Sequence, residues 1–410
     1  MGEHIGTEIE LTVDKIAHGG IAVGRLDGRV VFVSDAIPGE TVRARVSDDR
    51  KKSFWRADAI EVLSPSEHRR DHIWGAAAID RDPRGRAGGA EFGHIALEHQ
   101  RELKRQVLAE ALQRMAGLES DVVVEALPGD DAVNGLGWRT RIRLHVDDQG
   151  RLGPMASRSH SVIPVTDAPL ATPAVQAAAP FAERFLGYDT VDVLAPSGGD
   201  ARLVLGDQKP TVITERVGER VFRLDDTGFW QVHRSAAVAL TDAVQQAIDE
   251  SLFDPRADNL DLYGGVGLLA AAVADRFGAS TRITSVESDE RATDHASENL
   301  AEWLGASAES GRVDRWLRSL ASSASAGDRG RLRSATVVLD PPRSGAGTEV
   351  MGLLTSLEPA QLVYVACDPV ALARDVALAA QAGYSLSRIR AFDLFPHTHH
   401  VEAVATLVRA

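Results

Sequence analysis

Three short stretches in the C-terminal half of this chain carry side chains able to do covalent or proton-transfer chemistry. The only cysteine, Cys367, closes the apolar run QLVYVAC at 361–367 and precedes Asp368-Pro369. Aspartate and proline in that order open helices, as N-cap and first helical residue. A thiol beside a helix N-terminus feels the positive end of the dipole, which favours the thiolate, while the Asp368 charge opposes it. A lone cysteine is by default a small buried hydrophobe. Its place at a strand end, beside Asp340 on the neighbouring strand, points to a nucleophile instead. Asp340 ends the run ATVVLD, and Pro341-Pro342-Arg343 follow; the prolines remove donors and stiffen the turn, so Asp340 projects at the sheet's carboxyl edge. The segment Phe395-Pro396-His397-Thr398-His399-His400-Val401-Glu402 opens the last strand and ends on Glu402, thirty-five residues after Cys367. Glu402 enters an apolar strand, where partial desolvation raises its pKa and suits it to general-base duty. The three histidines have no further ligands at short-motif spacing, so no metal site is expected.

A second constellation fits a cofactor. Asp261-Leu262-Tyr263-Gly264-Gly265-Val266-Gly267 stands where a strand gives way to a helix. Glycines such as Gly265 and Gly267 let the backbone approach a nucleoside or methionine moiety, and a helix N-terminus attracts a carboxylate. Glu287 ends the next strand, 26 residues beyond Asp261, placed to accept ribose hydroxyls. Alanine at position 270 separates the pattern from the dinucleotide fingerprint.

These stretches need a sheet to bring them together. From about 236 the chain alternates helices and strands: helix 235–250, strand 259–263, helix 267–276, strand 282–287, helix 289–304, strands 335–340 and 361–367, helix 369–382. A hairpin, 384–395 with 401–409, closes the chain, and the Ser/Ala/Gly-rich stretch 321–330 reads as a loose loop. Such alternation predicts a doubly wound, mostly parallel sheet with ligands at the carboxyl ends of its strands, the hairpin supplying an antiparallel edge. Residues 7–62 read instead as short strands with glycine turns, a small closed barrel. Residues 63–95 read as a connector, 96–116 as a helix, and the stretch to about 230 as further strands. The expected fold is α/β, with an N-terminal OB-like β-barrel at 1–63, a linker and central α+β domain at 64–235, and a Rossmann-like domain at 236–410.

Composition narrows the class. The chain has 410 residues, 44% apolar and 25% charged, as in ordinary globular protein. No apolar run is long enough for a membrane span, and the N-terminus lacks a secretory signal, so a cytoplasmic address and no membrane partner are expected. One cysteine excludes an intrachain disulfide and any metal site that needs several thiolates. A net charge of −14 argues mildly against a nucleic-acid partner. Its distribution is uneven, however: Arg43, Arg45, Arg50, Lys51, Lys52 and Arg56 interleave with Phe54 and Trp55, and Arg139, Arg141, Arg143, Arg151 and Arg158 form a second set. Either set also reads as a solvated face.

Taken in order, DLYGGVG, LDPPR, YVACDPVALARD and FPHTHHVEAV resemble the RNA uracil-5 methyltransferases, which act on large-subunit ribosomal RNA and on the tRNA T-loop. The resemblance runs nearly end to end, with residues 7–62 similar to a TRAM domain, the family's RNA-binding barrel. It implies methyl transfer from S-adenosyl-L-methionine to carbon 5 of a uridine in structured rRNA or tRNA. By that resemblance Cys367 is the nucleophile that adds to carbon 6, and Glu402 removes the carbon 5 proton. Gln231, Tyr263, Glu287 and Asp340 would lie at the cofactor and base, and a monomer is expected. Four positions depart from the family pattern. Leu268 replaces an asparagine of the glycine turn, Asp368 replaces an asparagine after the cysteine, and His233 replaces an asparagine near Gln231. Ala87-Gly88-Gly89-Ala90 stands where many members carry iron–sulfur ligands, which places the chain in the cluster-free branch with its connector held by packing alone. Two other readings stay open: a non-catalytic RNA-binding protein or chaperone, and a methyltransferase for another RNA position.

Overall fold

The computed structural model describes residues 4–157 and 159–409; Arg158, counted above in the second basic set, lies outside them. The chain opens with β1 (Glu8–Ala17), β2 (Ile21–Leu26), β3 (Arg29–Ser34), β4 (Thr41–Asp48) and β5 (Phe54–Ser64). They close a barrel in the order β1-β2-β3-β5-β4, with β4 returning to β1. Alternate residues face inward, and most are small: Val13, Ala22, Val31, Val33, Ala44, Ala57 and Ala59 are fully buried. A five-stranded barrel has a narrow interior, which Val and Ala fill without strain.

The connector that follows is held by polar contacts as well as packing, which corrects the expectation of packing alone. Glu40, fully buried, accepts from Arg69 Nε at 2.6 Å, from Arg69 Nη2 at 2.7 Å and from the Ile37 amide at 2.9 Å. Arg86 Nη1 donates to Asp35 Oδ2 at 2.7 Å and to the Ala59 carbonyl at 2.9 Å. Trp74 Nε1 donates to Asp167 Oδ1 at 2.7 Å. A connector whose chain is irregular has unpaired backbone and side-chain polar groups, and these pairs satisfy them.

Next come α1 (Leu97–Ala116) and β6 (Val124–Ala126), then the central strands β7 (Arg141–Val146) and β8 (Leu152–Gly153), α2 (Pro173–Ala178), β9 (Thr190–Leu194) and β10 (Arg202–Leu205). The hairpin β11 (Val212–Val217) and β12 (Arg220–Asp225) ends this region. Strands β10-β9-β7-β8 form one small sheet.

The C-terminal elements are α3 (Ala236–Ala247), β13 (Asn259–Leu262), α4 (Leu268–Phe277), β14 (Ile283–Glu287), α5 (Glu290–Asn299), β15 (Ala306–Ser310), α6 (Val313–Ser323), α7 (Ala326–Arg333), β16 (Thr336–Leu339), α8 (Gly347–Ser356), β17 (Gln361–Ala366), α9 (Pro369–Gln381), β18 (Tyr384–Asp393) and β19 (Glu402–Arg409). Their sheet runs β15-β14-β13-β16-β17-β19-β18-β6, parallel from β15 to β17. Alternation along the strands feeds two apolar layers. Leu260, Leu262, Leu339, Leu362 and Tyr364 meet α1, α6, α8 and α9 on one face, whereas Val338, Val363 and Val365 meet α3, α4 and the β11–β12 hairpin on the other.

Three details differ from the sequence reading. Residues 321–330 are largely helical, because Ser325 and Asp328 form a reciprocal capping box that starts α7, and Leu317 and Leu332 are buried. The closing hairpin is not the edge: β19 lies between β17 and β18, and β6 pairs parallel with β18 outside it. Residues Leu108, Leu112, Val122 and Val124 share the C-terminal core, so α1 and β6 are built into the sheet domain although they precede position 236.

Candidate active site

The strand order places β13, β14, β16 and β17 side by side, so the turns at their carboxyl ends face one cavity of about 820 Å³. After β13 the backbone coils tightly: Tyr263, Gly265 and Gly267 have φ of 62°, 55° and 89°. The Gly267 amide donates to the Gly264 carbonyl at 2.9 Å, and α4 leaves from it. Gly264 has no room for a side chain, since a Cβ there would lie 1.9 Å from Ser285 Oγ and 2.7 Å from Asp261 Oδ2. Asp261 anchors the turn from below, accepting from the Ala270 amide at 3.1 Å and Ser285 Oγ at 3.0 Å. Burial, with the nearby Glu287 charge, pushes its carboxyl up to about 7.

Glu287 is pinned at the end of β14. Its Oε2 accepts from the Gly265 amide at 3.1 Å, and its Oε1 accepts from the Ser288 and Asp289 amides at 2.5 and 2.9 Å. Leu268, the departure at the glycine turn, packs into the apolar layer beneath it. Asn299 on α5 supplies an amide to this turn, donating to the Val266 carbonyl at 2.9 Å and to Arg223 of β12 at 3.0 Å.

At the other end, Asp340 and Cys367 each lie one residue past their strands, and Glu402 begins the antiparallel neighbour β19. Asp368 caps α9 as the sequence reading expects, its Oδ1 accepting from the Val370 and Ala371 amides at 3.0 and 2.8 Å. Other influences act on the thiol besides the helix. Burial, with the charges of Glu402 and Asp340, pushes Cys367 up to about 12, and Arg343 opposes them. Glu402 is held well above the ordinary carboxylate range by burial and by Asp340, which burial and Asp261 raise to about 7. Crowding carboxyls against one another at a buried wall favours their protonated forms.

Gln231, Tyr263, Gly265 and Glu287 line the cavity together with Asp340, Cys367 and Glu402. Gly267 does not line it; its part is the turn geometry. His233 also points elsewhere, as a buried imidazole bonded to Asp130 at 2.9 Å and stacked on Trp138. His397 is structural too: it contacts Gln100 Nε2 at 3.0 Å and the Asn134 carbonyl at 2.7 Å, tying the β18–β19 loop to α1. No group of three or more His, Cys, Asp or Glu among the described residues is arranged to hold a metal ion.

Several cavity residues escape sequence reasoning. Asp225, at the end of β12, is bonded by Arg291 Nη2 at 2.7 Å and His295 Nε2 at 3.1 Å from α5, closing the β11–β12 hairpin over the glycine turn. Arg139 and Phe229 enter the wall, and Phe229 is 73% exposed. Nothing in the local sequence of Asp225 marks it, because its contacts span elements far apart in the chain, and Arg139 stands out only as one of a basic set.

The residues present fit S-adenosyl-L-methionine. The volume is within the range of small-molecule clefts, Gly265 presents bare backbone at the wall between Tyr263 and Val266, Glu287 retains acceptor capacity on Oε2, and the acidic lining suits a sulfonium cation.

Residues 212–410 match the tRNA (Uracil-5-)-methyltransferase family, and residues 3–58 match the TRAM domain. A Streptomyces avermitilis protein named as an uncharacterized RNA methyltransferase is 36% identical, the alignment covering 98% of each chain. The Halomonas elongata 23S rRNA (uracil(1939)-C(5))-methyltransferase is 29% identical over 97% of this chain and 89% of its own. Among solved structures, the Pyrococcus abyssi tRNA (uracil-54, C5)-methyltransferase in complex with S-adenosyl-L-homocysteine shares the fold, with a TM-score of 0.68, 21% identity, and 98% and 100% of the two chains covered. The chain belongs to the TRAM-bearing family of S-adenosylmethionine-dependent RNA (uracil-5-)methyltransferases.

Proposed function

We propose that the protein methylates carbon 5 of one uridine in rRNA or tRNA through a covalent bond between Cys367 and carbon 6. The observation that carries this reading is that the chain's one thiol and a buried carboxyl, Glu402, line the same cavity as the glycine turn and Asp340. When bound, S-adenosylmethionine supplies an electrophilic methyl group.

Carbon 5 of uracil is a poor nucleophile until a group adds to carbon 6. The Cys367 thiol gives up its proton to solvent and its sulfur attacks carbon 6, the electrons of the 5,6 double bond moving toward carbon 5 and the carbonyl at carbon 4. Carbon 5 would then take the methyl group as the sulfonium S–CH3 bond breaks, with S-adenosylhomocysteine as the leaving group. Glu402, ionised, removes the remaining carbon 5 proton; the double bond re-forms as the sulfur–carbon bond breaks, returning Cys367. A carboxyl held well above its ordinary range is matched to this step, because its conjugate base is stronger than an exposed glutamate. Gln231 and Asp340 hold the base and cofactor, and Tyr263, Gly265 and Glu287 hold the cofactor. Gly267 shapes the turn that carries them. The target uridine must leave its stack to reach the cavity, and we assign capture of flanking RNA to the barrel at 1–63, with the central region at 64–235 walling the site.

The test is nucleoside mass spectrometry of rRNA and tRNA from a deletion strain complemented with each variant. Wild type restores 5-methyluridine at one position, whereas Cys367→Ala and Glu402→Gln do not. Restoration by Cys367→Ala refutes the covalent reading.

A further inference from the structure

His18 sits at the tip of the barrel, in the turn between β1 and β2, yet its imidazole reaches the catalytic end of the sheet. Its Nε2 lies 2.7 Å from Asp368 Oδ2, across 350 positions of sequence. Asp368 is thus held at both oxygens, one by the first amides of α9 and the other by the barrel. The turn is pressed close here: a Cβ on Gly20 would lie 2.5 Å from His399 Cβ and 3.1 Å from the Phe92 ring. Between turn and sheet lies a second cavity of about 230 Å³, and Cys367, Asp368 and His18 all line it. The thiol therefore faces the main cavity on one side and the barrel turn on the other.

The charged and titratable groups facing Asp368 come from four further places. Lys104 of α1 is committed to Asp393, at 2.5 Å, and to the Phe395 carbonyl at 3.0 Å. His399 stands 3.6 Å from Glu91, and His400 packs edge-on against Phe395. Arg343 and Cys367 complete the lining. Among the described residues, His18 is the basic side chain bonded directly to Asp368.

We propose that His18 is a positioning residue for the nucleophile: by bonding and neutralising Asp368, it sets the charge beside the Cys367 thiol and couples barrel docking to thiolate formation. This rests on the assignment of Cys367 as nucleophile. A bare carboxylate next to a thiol disfavours the thiolate; an imidazolium bonded to that carboxylate cancels the effect. The hydrogen bond to Asp368 holds His18 above its usual value of 6.5, against burial, so the pair is ionic below that raised value and loses its positive partner above it. An asparagine at 368 would cap α9 with no charge to cancel. An aspartate needs a partner, and the barrel supplies it.

Cys367 is the chain's one cysteine, so alkylation of the full-length protein by iodoacetamide reports it alone. His18→Ala is expected to slow alkylation at about pH 6, below the ordinary imidazole value, by about three- to tenfold, a neighbouring half-screened charge being of that order. His18→Gln, which keeps a donor without the charge, should behave like His18→Ala, and His18→Lys should restore the rate. Asp368→Asn, which leaves no carboxylate to cancel, should keep alkylation at about the wild-type rate, and His18→Ala should add nothing in that background. In RNA methylation, His18→Ala should lower kcat and leave KM for RNA unchanged. A His18→Ala rate–pH profile that overlays wild type, or an equal loss in both backgrounds, overturns the proposal. The alkylation needs neither RNA nor cofactor, so its failure is distinct from failure of the covalent reading, which falls only if Cys367→Ala still methylates.

Discussion

Replacing Asp340 by asparagine should make the ligand-free protein more stable, and more so as pH rises. Asp340 is raised from 3.8 to about 7 by burial and by Asp261. A carboxyl raised in the native state binds its proton more tightly there than in the unfolded chain, so stability is lost as pH climbs from the unfolded value through the folded one. With each tenfold in affinity worth roughly 1.4 kcal/mol, full ionisation costs the native state about 4 kcal/mol. Asp340 faces an open cavity, where water relieves part of this, and about 2 kcal/mol is the expected gain. Asparagine keeps the shape and removes the titration. Urea unfolding of wild type and Asp340→Asn should therefore diverge by about 2 kcal/mol between about pH 5 and about pH 8, with the variant ahead at the higher pH. Glu402 should respond as well, since Asp340 is one of the two influences holding it up. A gain that is the same at both pH values, or a variant weaker at the higher one, would refute the buried-carboxyl reasoning. The variant should also lose methylation, as expected where activity requires a destabilising group.

Other outcomes follow from the same contacts. Gly264→Ala places a Cβ against Ser285 and Asp261, and should cost about 1–3 kcal/mol in unfolding and abolish S-adenosylmethionine binding by calorimetry. Binding a sulfonium among carboxyls poised near neutrality should release protons at about pH 7; S-adenosylhomocysteine, which carries no sulfonium charge, should release fewer. Calorimetry in buffers of different ionisation enthalpy measures this, and equal release for the two ligands would count against it. Lys104→Met leaves Asp393 buried without its cation and should cost roughly 3–5 kcal/mol by thermal or urea melts.

The catalytic end was legible because its signals are local. Cys367, Asp340 and Glu402 each stand at a strand end, and strand-to-helix alternation is enough to put such ends on one edge. The glycine turn was legible for the same reason, although its left-handed backbone at Tyr263, Gly265 and Gly267 was not. What was not legible depends on partners distant in sequence. Nothing near His18 names Asp368, and nothing near Asp225 names Arg291 and His295. The three-residue β6 is too short for periodicity to mark. Ser/Ala/Gly composition at 321–330 reads as loop, although the Ser325–Asp328 box was a helix signal within it. The burial of the thiol was not legible either: sequence shows the helix cap, whereas desolvation depends on the packed site.

RNA carrying 5-fluorouridine at the target position tests the covalent reading most directly, since Glu402 cannot remove fluorine as a cation and the adduct persists. Incubated with S-adenosylmethionine, wild-type protein should form a protein–RNA species that carries one added methyl group, with the thioether to uracil carbon 6 mapped to Cys367. Adduct formation by Cys367→Ala, or its absence from a wild-type enzyme that methylates unmodified RNA, would contradict it.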